Sequence, residues 1–400
     1  MAGATIDHLV SVTIFLAAML LFISFFNQTI QTAVIYQQHR AVATKCSDLL
    51  DTMLLNPGIP VTEPPAVFGL HDTNFMGYTL DPFSLMRLNS STGTPVYYEK
   101  TGMTYSNMTV GFGNSLLMPM SGVVDYSSAL KMLGINGTYG FQLALTPIVN
   151  VSIAETSRNP FLSLSISVSG VSFPLANAAV SYYLIPVSLN GAYPDYLTIP
   201  NQANTVYTGP AGIAPSVVFP TFEPNDTLTY VFVAYAHVGG LAGVGFYTPD
   251  FSGSQQLIPF VASLSENEVL LAHSSDVPST ASSSERLAYN ATFVKLSNEN
   301  FELQGNSTGD VWSGAGYAPE VITVPNYPEI LVIAYKNDLG RGGVIMMPWG
   351  VGSLAFPVTF GGNPAEQEWV ATDMRQVLVS GVAYQAKLSL WSLKGVQVVG

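Results

Sequence analysis

Charge is what this 400-residue chain has least of. Charged residues make up 10% of it, against about 25% in an ordinary soluble domain. Only 13 residues are Lys or Arg against 26 Asp or Glu, for a net charge of −13. A nucleic-acid surface needs a Lys/Arg patch, so this balance excludes one. A single cysteine, Cys46, excludes an internal disulfide. The histidines His8, His39, His71, His237 and His273 are scattered, with no zinc-like spacing. There is no G-x-S-x-G, no phosphate-binding loop, and no G-x-G-x-x-G between a strand and a helix. Glu266-Asn-Glu268 and Asn225-Asp226 offer oxygens to a surface calcium ion but lack a D-x-D-x-D loop. His71 and Asp72, adjacent in sequence, read as a polar turn. No catalytic, cofactor or metal residue is therefore assigned, and the chain reads as a non-enzyme whose surface is built from Ser, Thr, Asn, Tyr, Gly and Pro.

What is present is concentrated at the start. Leu9 to Phe26 is an apolar run without charge, Pro or Gly. A bilayer core about 30 Å thick needs roughly 20 apolar residues as helix, and inside lipid the backbone must satisfy its own hydrogen bonds. From Asn27 the apolar residues fall at helical spacing: Ile30, Val34, Val42, Cys46, Leu49, Leu50, Met53 and Leu54. Gln31, Gln37, Gln38, Arg40, Lys45 and Asp48 lie elsewhere on the wheel. The spacing predicts one helix over residues 1–55, lipid-buried in its first half and amphipathic in its second. The membrane is thus the first expected partner. Cys46 reads either as a small buried hydrophobe or as an intermolecular or lipidated thiol near the membrane.

The segment Gly3-Ala4-Thr5-Ile6-Asp7-His8-Leu9, with the helix that follows, resembles the N-terminus of archaeal type IV pilin-like proteins. In that family an acidic residue stands fifth after a processing site, and cleavage after Ala2 would make Asp7 the fifth. The family's basic residue and Gly before the cut have no counterpart in Met1-Ala2. The resemblance implies that Asp7 neutralises the α-amino group of a neighbouring subunit, since an unpaired charge in an apolar core is costly. It also implies self-assembly through the helix, with Asp7, Ile30, Val34, Val42, Cys46 and Leu50 as helix or subunit contacts. Without polymerisation the same chain would be a single-pass anchored adhesin or binding module, with a surface ligand or cell-envelope protein as partner.

Past the helix, the sequence predicts a mainly β chain: a small α+β head followed by two Ig-like β-sandwich units. The head is expected over 56–156, the first sandwich over 157–262 and a second β-rich domain over 263–400. Pro57-Gly58-Ile59-Pro60 and Glu63-Pro64-Pro65 read as a helix stop and hinge. Tyr126 to Leu133 reads as a short helix closed by Gly134, and Tyr139, Phe141, Leu143 and Leu145 alternate on one face of a strand. These segments, with Phe68-Gly69-Leu70 and Leu80-Asp81-Pro82, again look pilin-like. Leu162 to Val168 alternates strictly, and turn signals follow at sandwich spacing. Phe173 to Tyr183 and Tyr207 to Ile213 resemble Ig-like or carboxypeptidase-regulatory-like surface modules.

Val231-Phe-Val-Ala-Tyr235 echoes Leu331-Val-Ile-Ala-Tyr335 at an offset of one hundred. The echo reads either as two related units or as a pattern any Ig-type hairpin shares. Ser274 to Arg286 reads as a linker or exposed loop. The closing segment, Arg375 to Trp391, reads as a hairpin that pairs back into the head or closes the second sandwich. Orientation signals conflict. His39, Arg40 and Lys45 after the span favour a cytoplasmic bulk by the positive-inside rule. N-x-S/T acceptors at Asn89, Asn107, Asn136, Asn150, Asn225, Asn290 and Asn306 favour an extracellular one, as does the low-charge surface. The expected location is the cell surface, membrane-anchored.

Overall fold

The computed structural model describes the chain apart from residues 1, 58–66, 90–94, 111–113, 198–203, 250–255, 264–266, 278–283, 298–299, 325–328, 350–356, 380 and 394–400. The first helix, α1 (Ala2–Leu55), is unbroken over 54 residues. No Pro or Gly interrupts it from Ala4 to Asn56, and at 1.5 Å per residue it is about 80 Å long. The expected hinge lies largely outside the described residues, as do Glu266 and part of the expected 274–286 loop.

The chain continues through β1 (Thr79–Leu80), α2 (Pro82–Asn89), β2 (Pro95–Tyr98), β3 (Met103–Val110), β4 (Asn114–Pro119), α3 (Tyr126–Met132) and β5 (Tyr139–Pro147). Next come β6 (Asn150–Ser157), β7 (Leu162–Ser169), β8 (Ala179–Ser188), β9 (Asp195–Tyr196), β10 (Asn204–Tyr207), β11 (Val217–Phe219), β12 (Leu228–Val238) and β13 (Leu241–Tyr247). A further set follows: β14 (Leu257–Ser263), β15 (Glu268–His273), β16 (Arg286–Ser297), β17 (Asn300–Trp312), β18 (Glu320–Thr323), β19 (Glu329–Asn337) and β20 (Gly342–Trp349). The last are β21 (Val358–Gly361), β22 (Ala371–Val379) and β23 (Val382–Ser392). The mainly β architecture with one long N-terminal helix is as expected.

The head sheet has the order β1-β22-β23-β5-β21. Its central hairpin is the C-terminal one, so of the two placements the sequence allows, the pairing back into the head is adopted. Leu388 pairs with Leu143 and Leu390 with Phe141, all buried. The short helix α3 is where the sequence put it. Asp125 caps it, accepting from the Ser128 N–H and from the Ser127 and Ser128 hydroxyls. Those hydrogen bonds, the Ser128 ones foremost, pull the Asp125 carboxyl down to about 2. Gly134, at φ 66°, ends the helix.

The expected domain boundaries do not follow the strands. The head is not continuous over 56–156, because β4 leaves it and runs parallel to β14, with Leu117 opposite Phe260. The boundary at 157 falls inside the β6–β7 hairpin, which pairs from Asn150–Ser169 to Ser157–Ser163. Nor does the second domain reach residue 400, since β21, β22 and β23 belong to the head. Backbone pairing between distant segments decides these boundaries, and it leaves no local composition shift to read.

Four further sheets stack in layers. The first sandwich joins β11-β7-β6 to β10-β8-β12-β13, with β9 beside β8. Its core holds Leu162, Leu164, Ile166 and Val168 from the alternating β7, against Tyr230, Phe232 and Ala234 of β12. The second joins β17-β16-β19-β20 to β18-β15-β14-β4-β3-β2, around Tyr289, Phe293, Leu331, Ile333 and Tyr335. The inner sheets also bury their other faces together. Val231 and Val233 of β12 share one continuous core with Ile330, Val332 and Ala334 of β19, and with the head. Strands covered on both faces need apolar residues at every position, which accounts for the echoed runs. The echo does not mark equivalent positions: Val231 faces the other inner sheet, whereas Leu331 faces its own outer sheet.

Polar groups pin the two inner sheets. The Tyr196 hydroxyl donates to the Asn290 carbonyl at 2.7 Å, lies 3.0 Å from the Val332 carbonyl and accepts from the Ala334 N–H. Lys336 donates from Nζ to the carbonyls of Leu189 and Gly191. Asn290 donates from Nδ2 to the Pro194 carbonyl at 2.8 Å. Burial lowers the pKa of Lys336, and the Arg286 charge adds to the shift. Tyr196→Phe strands several buried backbone groups and is expected to lower the unfolding free energy by about 1–3 kcal/mol. Denaturant titration checks this; an unchanged midpoint would show that apolar packing alone holds the inner sheets together.

Candidate anchoring and assembly surface

The helix α1 divides at Val42. From Leu9 to Phe26 every large apolar side chain is exposed, Leu9 at 67% and Phe22 at 70%. None of the most apolar stretch of the helix is buried. The helix is long and apolar enough to cross a membrane. Leaving one such side chain in water rather than buried costs about 1.5–3 kcal/mol. The run therefore strongly favours apolar surroundings over water. The hydroxyls of Thr13 and Thr29 donate to the carbonyls four residues back, at 2.8 Å each, so neither presents a free donor to such surroundings.

The second half docks on the head. Val42, Cys46, Leu49, Leu50, Met53 and Leu54 fall on one helix face and are buried in the head core, where α1 meets β22 and β23. Full burial is worth about 1.5–3 kcal/mol for each large side chain. An exposed ion pair contributes about 0.2–1 kcal/mol, so apolar packing dominates the docking and the charges direct it. Arg375 on β22 reaches Asp51 through Nε at 3.0 Å and Nη2 at 3.3 Å, Asp373 through Nη1 at 2.9 Å, and the Ser47 hydroxyl at 3.0 Å. Tyr78 donates to the same Asp51 carboxylate at 2.9 Å. Burial works against Asp373, but bonds from Ser47, the Met374 N–H and Arg375 outweigh it and hold its carboxyl below the usual range. The guanidinium of Arg375 is pushed up, chiefly by its bond to Asp51. About two turns before Ser47, nearer the membrane half, the His39 ring stacks on Trp369, with centroids 4.0 Å apart and planes within 2°.

The contacts expected from sequence therefore separate into two groups. Val42, Cys46 and Leu50 are consumed by the chain's own head, which makes them internal rather than intersubunit contacts. Ile30 and Val34 remain 45% and 42% exposed. Asp7 is exposed, and no described residue pairs with it. The Cys46 thiol is fully buried and donates to the carbonyls of Leu388 at 3.5 Å and Ala371 at 3.7 Å. Burial pushes it up to about 11. Of its two readings the buried hydrophobe is the correct one, since a thiol packed under two strands reaches neither lipid nor a second chain.

Among the glycan acceptors, Asn136, Asn150, Asn225 and Asn306 are exposed. Asn290 is 2% exposed with its Nδ2 hydrogen-bonded, which removes it as an acceptor in the folded chain. The side chains of Asn89 and Asn107 lie outside those described. Among the described residues no group of three or more His, Cys, Asp or Glu is placed to hold a metal ion. The Arg375–Asp51 pair and the His39–Trp369 stack escape sequence reading, because their partners lie on opposite ends of the chain. In a chain with so few charges, Asp51 within Leu49-Leu50-Asp51-Thr52-Met53-Leu54 is nevertheless a visible irregularity.

No family model and no curated protein sequence matches the chain. Among solved structures, trypsin-activated alpha-2-macroglobulin from Escherichia coli aligns at 9% identity and a TM-score of 0.22, over 68% of this chain and 20% of that one. The chain thus spans about a fifth of that protein, and so low a score does not inform the fold.

Two outcomes follow from the docking. In the folded chain Cys46 should resist a soluble maleimide and label fully in denaturant; rapid native labelling would show that the helix leaves the sheet. Because Asp373 is depressed, its contribution is complete above the ordinary carboxylate value of 3.8 and is lost as pH falls through its lower folded value. Acid should therefore lower the melting temperature of the full chain more than that of Arg375→Met, in which Asp373 has lost a partner. Parallel pH–melting curves would refute this role.

Proposed function

We propose that this chain is a structural cell-surface subunit of the pilin-like kind, held by the exposed half of α1 in a membrane or in a shared helical core. Its β-rich head is displayed outside the cell. The observation that carries this reading is the division of one unbroken helix at Val42, with an uncovered apolar half and a half clamped under the head sheet. An unbroken helix couples head and anchor rigidly, as a load-transmitting surface subunit requires. The pilin-like N-terminal segment and the exposed acceptors Asn136, Asn150, Asn225 and Asn306 support the extracellular placement. Asp7, at the start of the apolar run, is available to meet a partner's terminal amine.

A second reading draws on residues 27–41. There Ile30, Val34 and Tyr36 are exposed beside Gln28, Gln31, Gln37, Gln38 and Arg40. A mixed face of this kind tolerates water, so the same helix serves as a stalk for a single-pass adhesin that does not polymerise. The self-assembling form needs Ile30 and Val34 covered, and the stalk does not.

Imaging of native membranes, together with N-terminal mass analysis, tests the proposal. Filaments containing the chain, lost in Ile30→Glu/Val34→Glu while the chain stays with membranes, are the expected result for assembly. Single membrane-bound particles indifferent to that double substitution would establish the stalk. Recovery of the full chain in the soluble fraction would overturn both.

A further inference from the structure

The structure buries an amine against a carboxyl far from the helix. Lys100, in the turn between β2 and β3, places Nζ 2.7 Å from Oδ2 of Asp276, and their side chains are 9% and 1% exposed. Oδ2 nevertheless takes part in no hydrogen bond, so the approach falls outside hydrogen-bond geometry. The amine and the carboxyl are thus held within reach of one another, out of water. The surroundings hold both partners. Lys100 donates from Nζ to the Trp312 carbonyl at 2.9 Å. Oδ1 of Asp276 accepts from the Gly314 N–H at 2.9 Å. His273, fully buried, accepts from the Ser275 N–H through Nδ1 and so fixes the turn that carries Asp276. Apolar groups close the site: Tyr98 stacks on Phe260 at 5.1 Å, and Val277 packs against the same cluster.

We propose that Lys100 and Asp276 condense to an intramolecular isopeptide bond, an autocatalytic cross-link in a chain that has no disulfide available. A proton passes from the Lys100 ammonium to Oδ2, leaving a neutral amine and a carboxyl. The amine lone pair then attacks Cγ of Asp276. The negative charge that develops on Oδ1 faces the Gly314 N–H, as an oxyanion donor requires. A second proton leaves nitrogen for Oδ2, the Cγ–Oδ2 bond breaks and one water departs. The C–N amide bond replaces the C–O bond, and no oxidant or cofactor enters. Burial lowers the pKa of the His273 imidazole, so it adds no positive charge beside the amine at neutral pH. His273 is a positioning residue here. The product ties the β2–β3 hairpin to the end of β15, across the first sandwich that lies between them in sequence. A cross-link over so long a loop restrains the unfolded chain strongly.

Intact mass of the full chain, purified in detergent, should fall one water below the sequence value. Digestion should give a branched peptide joining Lys100 to Asp276. In Lys100→Arg, which keeps the charge but has no amine to condense, the deficit should vanish and the melting temperature should fall. Asp276→Ala should likewise restore the full mass. A wild-type mass without the deficit overturns the proposal whatever the variants do, and leaves a buried ion pair. A deficit that maps to a linear peptide overturns it equally.

Discussion

The docking of the second half of α1 under β22 and β23 is the contact on which the rest of the molecule depends. It brings α1 against β22 and β23, more than 300 residues later in sequence, so the head closes only once β23 has been made. Cys46, Leu50, Met53 and Leu54 supply the energy through burial. Arg375, Asp51, Ser47, Asp373 and Tyr78 supply the register. An apolar stripe alone can slide along a sheet by a turn of helix, whereas a guanidinium bonded to one carboxylate through two nitrogens cannot.

With the head closed by its ends, the sandwiches become insertions. The strands β6 to β20 leave from the end of β5 and return before β21, and β2 to β4 leave between α2 and α3. The longer excursion starts and finishes in the head sheet, which places its inner strands in a common core with the head; the shorter one leaves and returns at the helices beside that sheet and joins an outer layer. The two inner sheets gain a second apolar face in this way, and the cost of burying so much backbone is offset by full strand pairing. Polar contacts at that seam are few and specific. Tyr196, Asn290 and Lys336 each reach main-chain carbonyls of the neighbouring layer, which fixes the stacking angle without separating the apolar surfaces.

Scarcity of charge takes on meaning in this arrangement. Arg375 is spent on the helix junction, Lys100 on Asp276, Lys336 on the seam, and Arg286 on Asp310 and Asp338. These basic residues act as internal fasteners rather than as a solvated coat. Hydroxyl and amide side chains remain to meet water, beside the acidic residues that give the chain its net charge of −13.

What the sequence determined by itself was whatever depends on near neighbours. The length and unbroken course of α1 follow from the absence of Pro and Gly. The strand at Leu162 to Val168 follows from alternation, α3 from Asp125 and Gly134, and the mainly β class from repeated turn signals. The apolar run of Leu9 to Phe26 announced a surface that water cannot cover. Tertiary structure alone decided which strands pair. It put the C-terminal hairpin at the centre of the head, β4 beside β14, and Val231 and Leu331 on opposite faces despite their matching sequence. It also decided that Cys46 is shielded, that Asn290 is unavailable to a glycan, and that Lys100 meets Asp276. Each of these rests on a contact between residues far apart in the chain, where loop closure and shape decide the outcome and local periodicity carries no record of it.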